Sequence, residues 1–493
     1  MMKVIGIGVL MVMGLLAERP NVVLIIADDM AWDDCGPYGH ESLPTPNLDR
    51  MAQEGMKFEK GFVTISSCSP SRASLLLGQY ATTTDADELH WPVPAEKVSF
   101  VEKLREAGYW TGAAGKWHLG EAMKERFDEV MEVDTSGFQL PSGEAAKSGK
   151  FKETLSGEAQ SGCADWLPLL GKREEGKPFF LWLAALDPHR PYHEGIVAEP
   201  ATEKMVKIPP YHPNTPAVVE DYLLYYDEII RLDKYVGLVL EGLEKAGVAE
   251  NTLVLFFSDN GRPFPRDKTT LYDSGMRTPF LVWWPKGVKA GSVCEEVVST
   301  VDIARTCLEL AGVTEGLESF KGQSFVPQLK DPKSPGREYA FAEKNWHDYE
   351  DHVRAVRGKR FKYIRNYYED LPQTPSADSA RSATYEELKR LRDEGTATEA
   401  QLACFVAPRP KEELFDTVAD PFELKNLAGE RKFEKVLLEM RIALANWEAE
   451  NGDAPPELRT ADEFHRVTGL PTEARVRPRR TKAEMVEMGL SAP

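Results

Sequence analysis

The sequence predicts an α/β protein in which helices cover both faces of a large, mostly parallel β-sheet, followed by a smaller α+β domain. Three observations lead to this fold class. Apolar β-rich runs alternate with helical patterns over the first two-thirds of the chain, as in repeated strand–helix–strand units. Several of these runs are apolar at nearly every position, which is typical of strands buried on both faces. The chain has 493 residues, enough for one large domain and a smaller companion.

The strands and helices of the large domain can be assigned in order along the chain. The predicted strands are short runs rich in Val, Ile, Leu, Phe or Trp: residues 21–27, 110–114, 178–185, 252–257 and 279–284. The predicted helices have apolar residues at helical spacing, and glycine ends two of them: residues 98–107 before Gly108, residues 217–246 before Gly247, and residues 302–311. The alternation of these elements predicts parallel strand pairing.

A polar, proline-containing segment at residues 331–336 has the composition of a linker. We therefore predict a boundary there, between a large domain of residues 18–335 and a smaller one of residues 336–493. Two strands and two amphipathic helices are predicted in the smaller domain: strands at residues 353–357 and 360–365, joined by Gly358 and Lys359, and helices at residues 384–394 and 433–448. A short antiparallel sheet with helices is the expected architecture.

Residues 1–17 have the features of a secretory signal peptide. Lys3 supplies a positive charge, residues 4–16 form a brief apolar run, and the small residue Ala17 precedes a polar stretch. The alternative is a buried N-terminal strand or helix, but residues 21–27 already supply the first core strand. No later run is long and apolar enough to span a bilayer. We therefore expect an exported protein, periplasmic or secreted, that has no membrane anchor.

The composition excludes some classes of partner. The chain carries 60 basic and 79 acidic residues, a net charge of −19, which argues against nucleic acid because phosphate backbones need a basic surface. An anionic small substrate remains compatible, since a pocket can be locally basic within an acidic protein. The six cysteines are scattered and include no CxxC pair, so neither a disulfide scaffold nor a zinc site is expected. One or two disulfides would still suit an exported protein.

Two predicted strands end in oxygen-bearing side chains. Asp28 and Asp29 follow the first strand, and Asp259 and Asn260 follow the strand at residues 252–257. Ligands of open α/β sheets bind at the carboxyl ends of the strands, and carboxylate and amide oxygens suit Ca²⁺ or Mg²⁺ rather than zinc. Each pair alone would more often cap a helix or form a turn, but the two pairs together predict a metal site.

Cys68 lies in a Ser-rich turn of the chain. Arg72 follows four residues later, and a helical run begins at Ala73. The backbone amides of a helix N-terminus and a nearby guanidinium both favour anions. Taken alone, Cys68 could be a thiolate nucleophile, a disulfide partner or an inert thiol, of which the last is the commonest.

Basic residues recur where other predicted strands end. Lys116 and His118 follow one strand, His189 follows another, and Lys268 lies in the loop beyond a third. Any one of them would more often be a solvated loop residue. Lysine and histidine side chains gathered beside an acidic metal site indicate an enzyme for a doubly charged tetrahedral oxyanion.

Residues 68–78, Cys-Ser-Pro-Ser-Arg-Ala-Ser-Leu-Leu-Leu-Gly, resemble the signature of the type I, formylglycine-dependent sulfatases. Further segments resemble other blocks of that family in the same order: residues 21–29, 45–49, 115–118, 187–190, 258–261 and 413–427. Residues 63–74 and 258–272 look most like the N-sulfoglucosamine sulfohydrolase (heparan N-sulfatase) branch and its bacterial relatives. The resemblance implies the alkaline-phosphatase-like α/β sandwich of that family.

The resemblance also implies a modification and a cofactor. Cys68 would be oxidised to 3-oxoalanine (Cα-formylglycine) by a formylglycine-generating maturation enzyme, and the hydrate of this residue would be the nucleophile. Asp28, Asp29, Asp259 and Asn260, with the modified residue 68, would bind Ca²⁺ in preference to Mg²⁺. A divalent cation neutralises the oxygens around the sulfur, which lowers the barrier to attack.

The remaining polar residues would surround the sulfate. Arg72 would hold the hydrate and the helix start in place, and Lys116 and Lys268 would bind the sulfate group. His189 or Lys268 would protonate the leaving oxygen or nitrogen. His118 would deprotonate the second hydroxyl of the hydrate, whose collapse expels sulfate and restores the aldehyde. The two candidates for the acid stay open, although imidazole has the better-placed pKa.

Two residues depart from the family pattern. His347, at the start of the smaller domain, would help to select the sugar if its loop folds over the pocket; the alternative is a surface histidine. Cys35 offers a second thiol, which we expect to stay unmodified.

We therefore predict a sulfatase that hydrolyses sulfate esters or sulfamates of sulfated carbohydrates. Heparan-type N-sulfoglucosamine is the first candidate substrate and O-sulfated polysaccharide the next. One alternative is a phosphodiesterase or phosphonate hydrolase of the same superfamily, which two metal sites would favour. The other is a non-catalytic glycan-binding relative, which would be expected to have lost the nucleophile or the metal ligands.

Overall fold

The computed structural model describes residues 19–134, 155, 157–457 and 459–472. The predicted signal peptide, residues 1–17, lies outside the described residues. Within them, no helix combines the length and the apolar character needed to cross a membrane.

Nine strands of the described chain form one large sheet: β1 (Asn21–Ala27), β2 (Met56–Phe62), β3 (Trp110–Gly115), β4 (Glu129–Glu132), β5 (Phe179–Ala184), β6 (Thr252–Ser258), β7 (Arg277–Thr278), β8 (Phe280–Trp283) and β9 (Ser292–Ser299). Their order is β4-β3-β5-β1-β6-β8-β2-β7, and β9 pairs with β2. The first five strands in this order are parallel, whereas β8 is antiparallel to both β6 and β2. The predicted large, mostly parallel sheet is confirmed.

Strand β1 lies at the centre of the fold. All seven of its residues are buried, and alternate side chains belong to two separate apolar clusters, one on each face of the sheet, as the two-residue period of a strand requires. It pairs in parallel with β5 on one side and β6 on the other. The carboxyl ends of these three strands therefore meet at one edge of the sheet, where ligands of such folds bind.

Helices cover both faces of this sheet: α1 (Pro46–Glu54), α2 (Cys68–Leu77), α3 (Phe100–Glu106), α4 (Trp166–Lys172), α5 (Pro216–Lys245), α6 (Asp273–Met276), α7 (Asp302–Leu310) and α8 (Val326–Lys330). Apolar residues of α2, α3 and α7 pack on one face, and those of α1, α4 and α5 pack on the other. The result is the three-layer sandwich that the sequence predicts.

A separate antiparallel sheet follows: β10 (Ala340–Lys344), β11 (Val353–Arg357), β12 (Phe361–Asn366) and β13 (Glu412–Asp416). Three further α-helices in the described part of the chain accompany it: α9 (Ala383–Asp393), α10 (Glu399–Leu402) and α11 (Glu434–Asn451). One face of this sheet packs on α11, and the other shares an apolar cluster with residues around β2 and α6. The short antiparallel sheet is confirmed, and its packing brings loops of the second sheet to the first. The domain boundary at residues 335 and 336 stays a prediction.

Some elements differ from the prediction. The helix expected from Ala73 begins at Cys68 itself, so the cysteine belongs to the first turn. Strands β2 and β9 were not predicted, because charged residues interrupt the apolar ones in both, at residues 57, 59 and 60 in β2 and at residues 295 and 296 in β9. That pattern belongs to strands with one exposed face, whereas the prediction relied on continuous apolar runs.

Candidate active site

The predicted metal ligands lie side by side at the carboxyl ends of β1 and β6. Asp28 and Asp29 directly follow β1, and Asp259 and Asn260 directly follow β6. The side-chain amide of Asn260 donates to Oδ1 of Asp29 at 2.6 Å, and the backbone N–H of Asp29 donates to Oδ1 of Asp259 at 3.2 Å. All four side chains are buried. The structure thus brings together the four residues that the sequence assigned to one site.

Cys68 begins α2 beside this cluster. The thiol is buried, and its Sγ lies 3.7 Å from Oδ1 of Asp29. Burial raises the pKa of the Cys68 thiol well above its usual value, against the opposing effects of Lys116 and Lys268. The unmodified side chain is therefore a protonated thiol at neutral pH, which is a poor nucleophile. All six cysteines lie in the described residues and none forms a disulfide, so the disulfides that an exported protein could carry are not present.

Arg72 joins α2 to the acidic cluster. Its side chain is fully buried, and Nε and Nη2 lie 2.9 and 2.8 Å from Oδ2 of Asp259. Nη2 is also 3.7 Å from Oδ1 of Asp28, and Nη1 donates to the backbone carbonyl of Lys116 at 3.3 Å. Because Arg72 lies one turn after Cys68 on the helix, these contacts hold the helix N-terminus against the predicted metal ligands.

Two buried lysines pair with the aspartates that follow β1. Nζ of Lys116 lies 2.5 Å from Oδ2 of Asp28, and Nζ of Lys268 lies 2.7 Å from Oδ2 of Asp29. Burial alone would lower the pKa of each lysine. Asp29 and Asp378 nevertheless hold the pKa of Lys268 well above its usual value, and Asp28 raises the pKa of Lys116. Both side chains are therefore charged donors at neutral pH, as binding of an oxyanion requires.

The two predicted catalytic histidines differ in environment. Nε2 of His189 lies 3.7 Å from Oδ2 of Asp29, and its side chain is 22% exposed. The His118 ring packs against that of His90, with 4.7 Å between the ring centroids. Burial, and then the charge of Lys116, lower the pKa of His118 well below its usual value. His118 is therefore neutral at neutral pH, the state in which an imidazole accepts a proton.

His347 is buried at the site rather than exposed on the surface. Its Nδ1 lies 2.6 Å from Oγ of Ser67, the N-cap residue of the helix that Cys68 begins. Burial, and then the charge of Lys268, lower the pKa of His347 well below its usual value. The surface alternative is wrong: the loop between β10 and β11 folds onto the site. A role for His347 in sugar selection stays a prediction.

Sequence reasoning missed Asp378, which the loop between β12 and α9 brings to the site. Its Oδ2 lies 3.1 Å from Nζ of Lys268 and 3.8 Å from Nε2 of His189. Burial opposes the ionised form, but Lys268 and His189 hold the pKa of Asp378 well below its usual value, so the side chain is a carboxylate. Its sequence neighbours are small polar and apolar residues, and no strand end or motif marks the position. His90 was missed for the same reason, whereas Ser67 directly precedes the Cys68 motif and was passed over as part of its Ser-rich turn.

The donor set fits a divalent cation of the Ca²⁺ or Mg²⁺ type. Oδ1 of Asp28 and Oδ1 of Asn260 are buried oxygens without a hydrogen-bond partner. Ligand atoms of Asp28, Asp29 and Cys68 lie within 4.8 Å of one another. Buried polar atoms without a partner are rare in proteins, and oxygen atoms gathered in this way suit a hard cation.

The fold is that of the alkaline-phosphatase-like α/β sandwiches, and buried lysines and carboxylates lie together at the carboxyl ends of its central parallel strands. A protein solved in complex with its substrate D-glucosamine-2-N,6-O-disulfate superposes with a TM-score of 0.67 at 21% sequence identity, over 89% of this chain and 99% of that one. At this level of identity the likeness concerns the fold alone.

Within that class, the chain belongs to the sulfatase family. The sulfatase family model matches residues 20–313, and a model described as N-sulphoglucosamine sulphohydrolase, C-terminal, matches residues 264–379. Human N-sulphoglucosamine sulphohydrolase is 31% identical over 487 residues, which cover 90% of this chain and 93% of the relative. An ulvan-active sulfatase of Formosa agariphila is 31% identical over 492 residues, 89% of this chain and 76% of the relative. The resemblance noted in the sequence is confirmed, and the class of activity is sulfuric ester hydrolysis.

Proposed function

We propose that this protein hydrolyses sulfate esters or sulfamates of sulfated glycans, with heparan-type N-sulfoglucosamine as its first substrate and O-sulfated polysaccharide as the next. The observation that carries the proposal is Cys68 at a helix N-terminus, packed against buried carboxylates and two charged lysines. The names of two relatives, N-sulphoglucosamine sulphohydrolase and ulvan-active sulfatase, support a carbohydrate substrate.

Residue 68 and a bound cation would complete the site. A formylglycine hydrate at this position would supply a nucleophilic oxygen, and Ca²⁺ would supply positive charge to the site. Asp28, Asp29, Asp259 and Asn260 would hold the cation, because their oxygens converge beside residue 68. Cys68 is only 2% exposed, so we expect a formylglycine-generating enzyme to act on the chain before it folds.

The charged side chains of this chain would orient the sulfate and stabilise its developing charge. Lys116 and Lys268 present ammonium groups in a buried site, where each donor is worth more than in water. Arg72 keeps the helix start fixed through Asp259 and the carbonyl of Lys116. Such fixed charges need no reorganisation during the reaction.

The histidines suit opposite directions of proton transfer. His118 is neutral and has an Nδ1 without a hydrogen-bond partner, so it can accept a proton. Nδ1 of His189 contacts the backbone carbonyl of Arg190, which favours a proton on Nδ1 and directs Nε2 toward Asp29 and Asp378. A protonated Nε2 can then donate to the leaving oxygen or nitrogen, and the neutral product keeps its Nδ1–H bond. We therefore propose His189, ahead of Lys268, as the general acid.

The charge arrangement disfavours a two-metal phosphodiesterase. Ligand atoms of Asp29, His189 and Asp378 also lie within 4.8 Å of one another, which could suggest a second cation. The ammonium group of Lys268, however, lies 2.7 and 3.1 Å from the Oδ2 atoms of Asp29 and Asp378. It supplies the positive charge there and would repel a second metal. A non-catalytic relative is disfavoured because the cysteine and the oxygen ligands are all present.

We also propose that residues 1–17 direct export to the periplasm or the medium, which would place the enzyme beside extracellular glycans. Fractionation of cells that express the full chain, followed by N-terminal sequencing of the product, tests this step. An uncleaved protein in the cytosol would contradict it.

The experiment that tests the proposed function measures sulfate release from a panel of N- and O-sulfated saccharides. The enzyme is matured and loaded with Ca²⁺, and its formylglycine content is verified by mass spectrometry. We expect N-sulfoglucosamine to give the highest kcat/KM. Strong O-sulfate release without sulfamate cleavage would discard the heparan assignment, and hydrolysis of phosphonate monoesters alone would discard the sulfatase.

A further inference from the structure

We propose that Asp378 is a specificity-determining residue that binds the sugar on the carbon next to the sulfated position. Its carboxylate would favour a hydroxyl or amine donor on that carbon and reject a second anionic group there. This inference rests on the proposed function and narrows its substrate class.

The depth of Asp378 places it beside the sugar rather than beside the sulfate. The side chains of Asp29 and Lys268 are 0% and 2% exposed, whereas Asp378 is 14% exposed. His189, the proposed acid, is also partly exposed and lies next to it. When the sulfate group of a substrate reaches the buried Cys68, the attached sugar must lie nearer to the solvent. The side chains of Asp378 and His189 lie on that side.

The carboxylate of Asp378 is held by the backbone, with its second oxygen turned toward the site. Oδ1 accepts a hydrogen bond from the backbone N–H of Ser379 at 2.7 Å, and the adjacent backbone N–H of Ala377 donates to Oδ2 of Asp348 at 2.8 Å. Oδ2 of Asp378 faces the site near Lys268 and His189. A side chain held in this way loses little freedom when a ligand binds.

The loop that carries Asp378 is tied to the loop that carries His189. Arg190 donates from Nη1 and Nη2 to the two carboxylate oxygens of Asp221 at 2.7 and 2.9 Å. Oδ2 of Asp221 also accepts from Oγ1 of Thr384 at 2.7 Å, at the start of α9. This bridge links the start of α9, shortly after Asp378, to the residue next to His189. It helps to keep the carboxylate of Asp378 beside the proposed acid, whose Nε2 lies 3.8 Å away.

The chemistry of the position sets the selectivity. An ionised carboxylate accepts charge-assisted hydrogen bonds from hydroxyl and ammonium groups. A second sulfate or a sugar carboxylate at the same place would meet like charge in a partly dehydrated site, and such repulsion is a common source of specificity.

The test uses the matured, Ca²⁺-loaded full-length enzyme and pairs of saccharides from the panel. Each pair consists of an accepted sugar and its counterpart with a second sulfate on the neighbouring carbon, such as N-sulfoglucosamine and its 3-O-sulfated form. We expect the wild type to prefer the singly sulfated member at least tenfold in kcat/KM. Asp378→Asn should bring this ratio close to one, and Asp378→Glu, which keeps the charge, should retain most of it.

An aryl sulfate, 4-methylumbelliferyl sulfate, separates sugar binding from an effect on the acid or on Lys268. We expect Asp378→Asn to lower kcat/KM for the singly sulfated sugar at least tenfold more than for the aryl sulfate. Equal losses on both, or an unchanged sugar ratio, would overturn the inference. The matched control is Asp393→Asn, an exposed carboxylate at the end of α9, which should keep wild-type values. Failure of the wild type to release sulfate from any substrate would overturn the proposed function and this inference with it.

Discussion

Replacement of Arg72 by leucine removes the guanidinium that neutralises the buried carboxylate of Asp259. The Arg72 side chain is fully buried, and Nε and Nη2 lie 2.9 and 2.8 Å from the same carboxylate oxygen. Breaking a buried ion pair by removal of one partner leaves an uncompensated charge, which costs about 3–5 kcal/mol. We expect a loss of that size in the free energy of unfolding of the metal-free protein.

A double-mutant cycle with Asp259→Asn separates the ion pair from the loss of packing. The asparagine keeps the shape of the side chain but carries no charge, so the double variant buries neither charge unpaired. We expect the two single losses to exceed the double loss by about 2 kcal/mol or more. The assay is urea unfolding followed by tryptophan fluorescence, with EDTA present so that a bound cation does not contribute.

Arg459 provides the matched surface control for this cycle. It forms a two-pronged pair with Asp370 at 2.7 and 2.8 Å, and both side chains are largely exposed. Arg459→Leu should change the free energy of unfolding by less than about 1 kcal/mol. A loss of that small size for Arg72→Leu, or additive effects of Arg72→Leu and Asp259→Asn, would refute the reasoning from burial.

Three further predictions concern the nucleophile, the cation and one buried carboxyl group. Cys68→Ala should abolish sulfate release while its circular dichroism spectrum stays that of the folded wild type; retained turnover would place the nucleophile elsewhere. Chelation should stop turnover, and free Ca²⁺ at 100 times its dissociation constant should raise the free energy of unfolding by about 2.7 kcal/mol; no effect of Ca²⁺ or Mg²⁺ on the melting temperature would contradict the metal site. Burial raises the pKa of Glu343 from 4.5 to about 8, so the folded protein keeps a proton that the unfolded chain loses above pH 4.5. Stability should therefore fall between pH 4.5 and 8, by as much as about 5 kcal/mol. Glu343→Gln should lack this loss of stability between pH 4.5 and 8. If the wild type and the variant change by the same free energy of unfolding between pH 5 and pH 8.5, the prediction is contradicted.

The site residues that could be predicted from the sequence are those that directly follow a buried strand. Asp28 and Asp29 follow β1, and Asp259 and Asn260 follow β6. Parallel pairing of two buried strands puts such residues together without any information about distant contacts. Lys116 follows β3 in the same way. The sheet, and the proximity of these oxygen-bearing side chains, were predictable for this reason.

Other parts of the site depend on packing between distant segments. Asp378 reaches Lys268 because the second sheet shares an apolar cluster with the first, and a single sequence carries no local signal of that contact. The start of α2 was misplaced for a different reason. Serine and proline have low helix propensity in a helix interior, so the helix was predicted to begin after them, although Pro70 is tolerated in a first turn where no intrahelical donor is needed.

Two lysines neutralise the buried carboxylates of the candidate metal site when no cation is bound. Lys116 and Lys268 contact the Oδ2 atoms of Asp28 and Asp29, and these carboxylates are among the groups that a divalent cation would share. Binding of the cation would weaken both lysine–aspartate contacts, because the carboxylates would then be neutralised by the metal. The ammonium groups would become available to an anion in the same pocket. The affinity of this site for sulfate should therefore depend on the cation through the chain's own lysines, as well as through direct attraction to the metal.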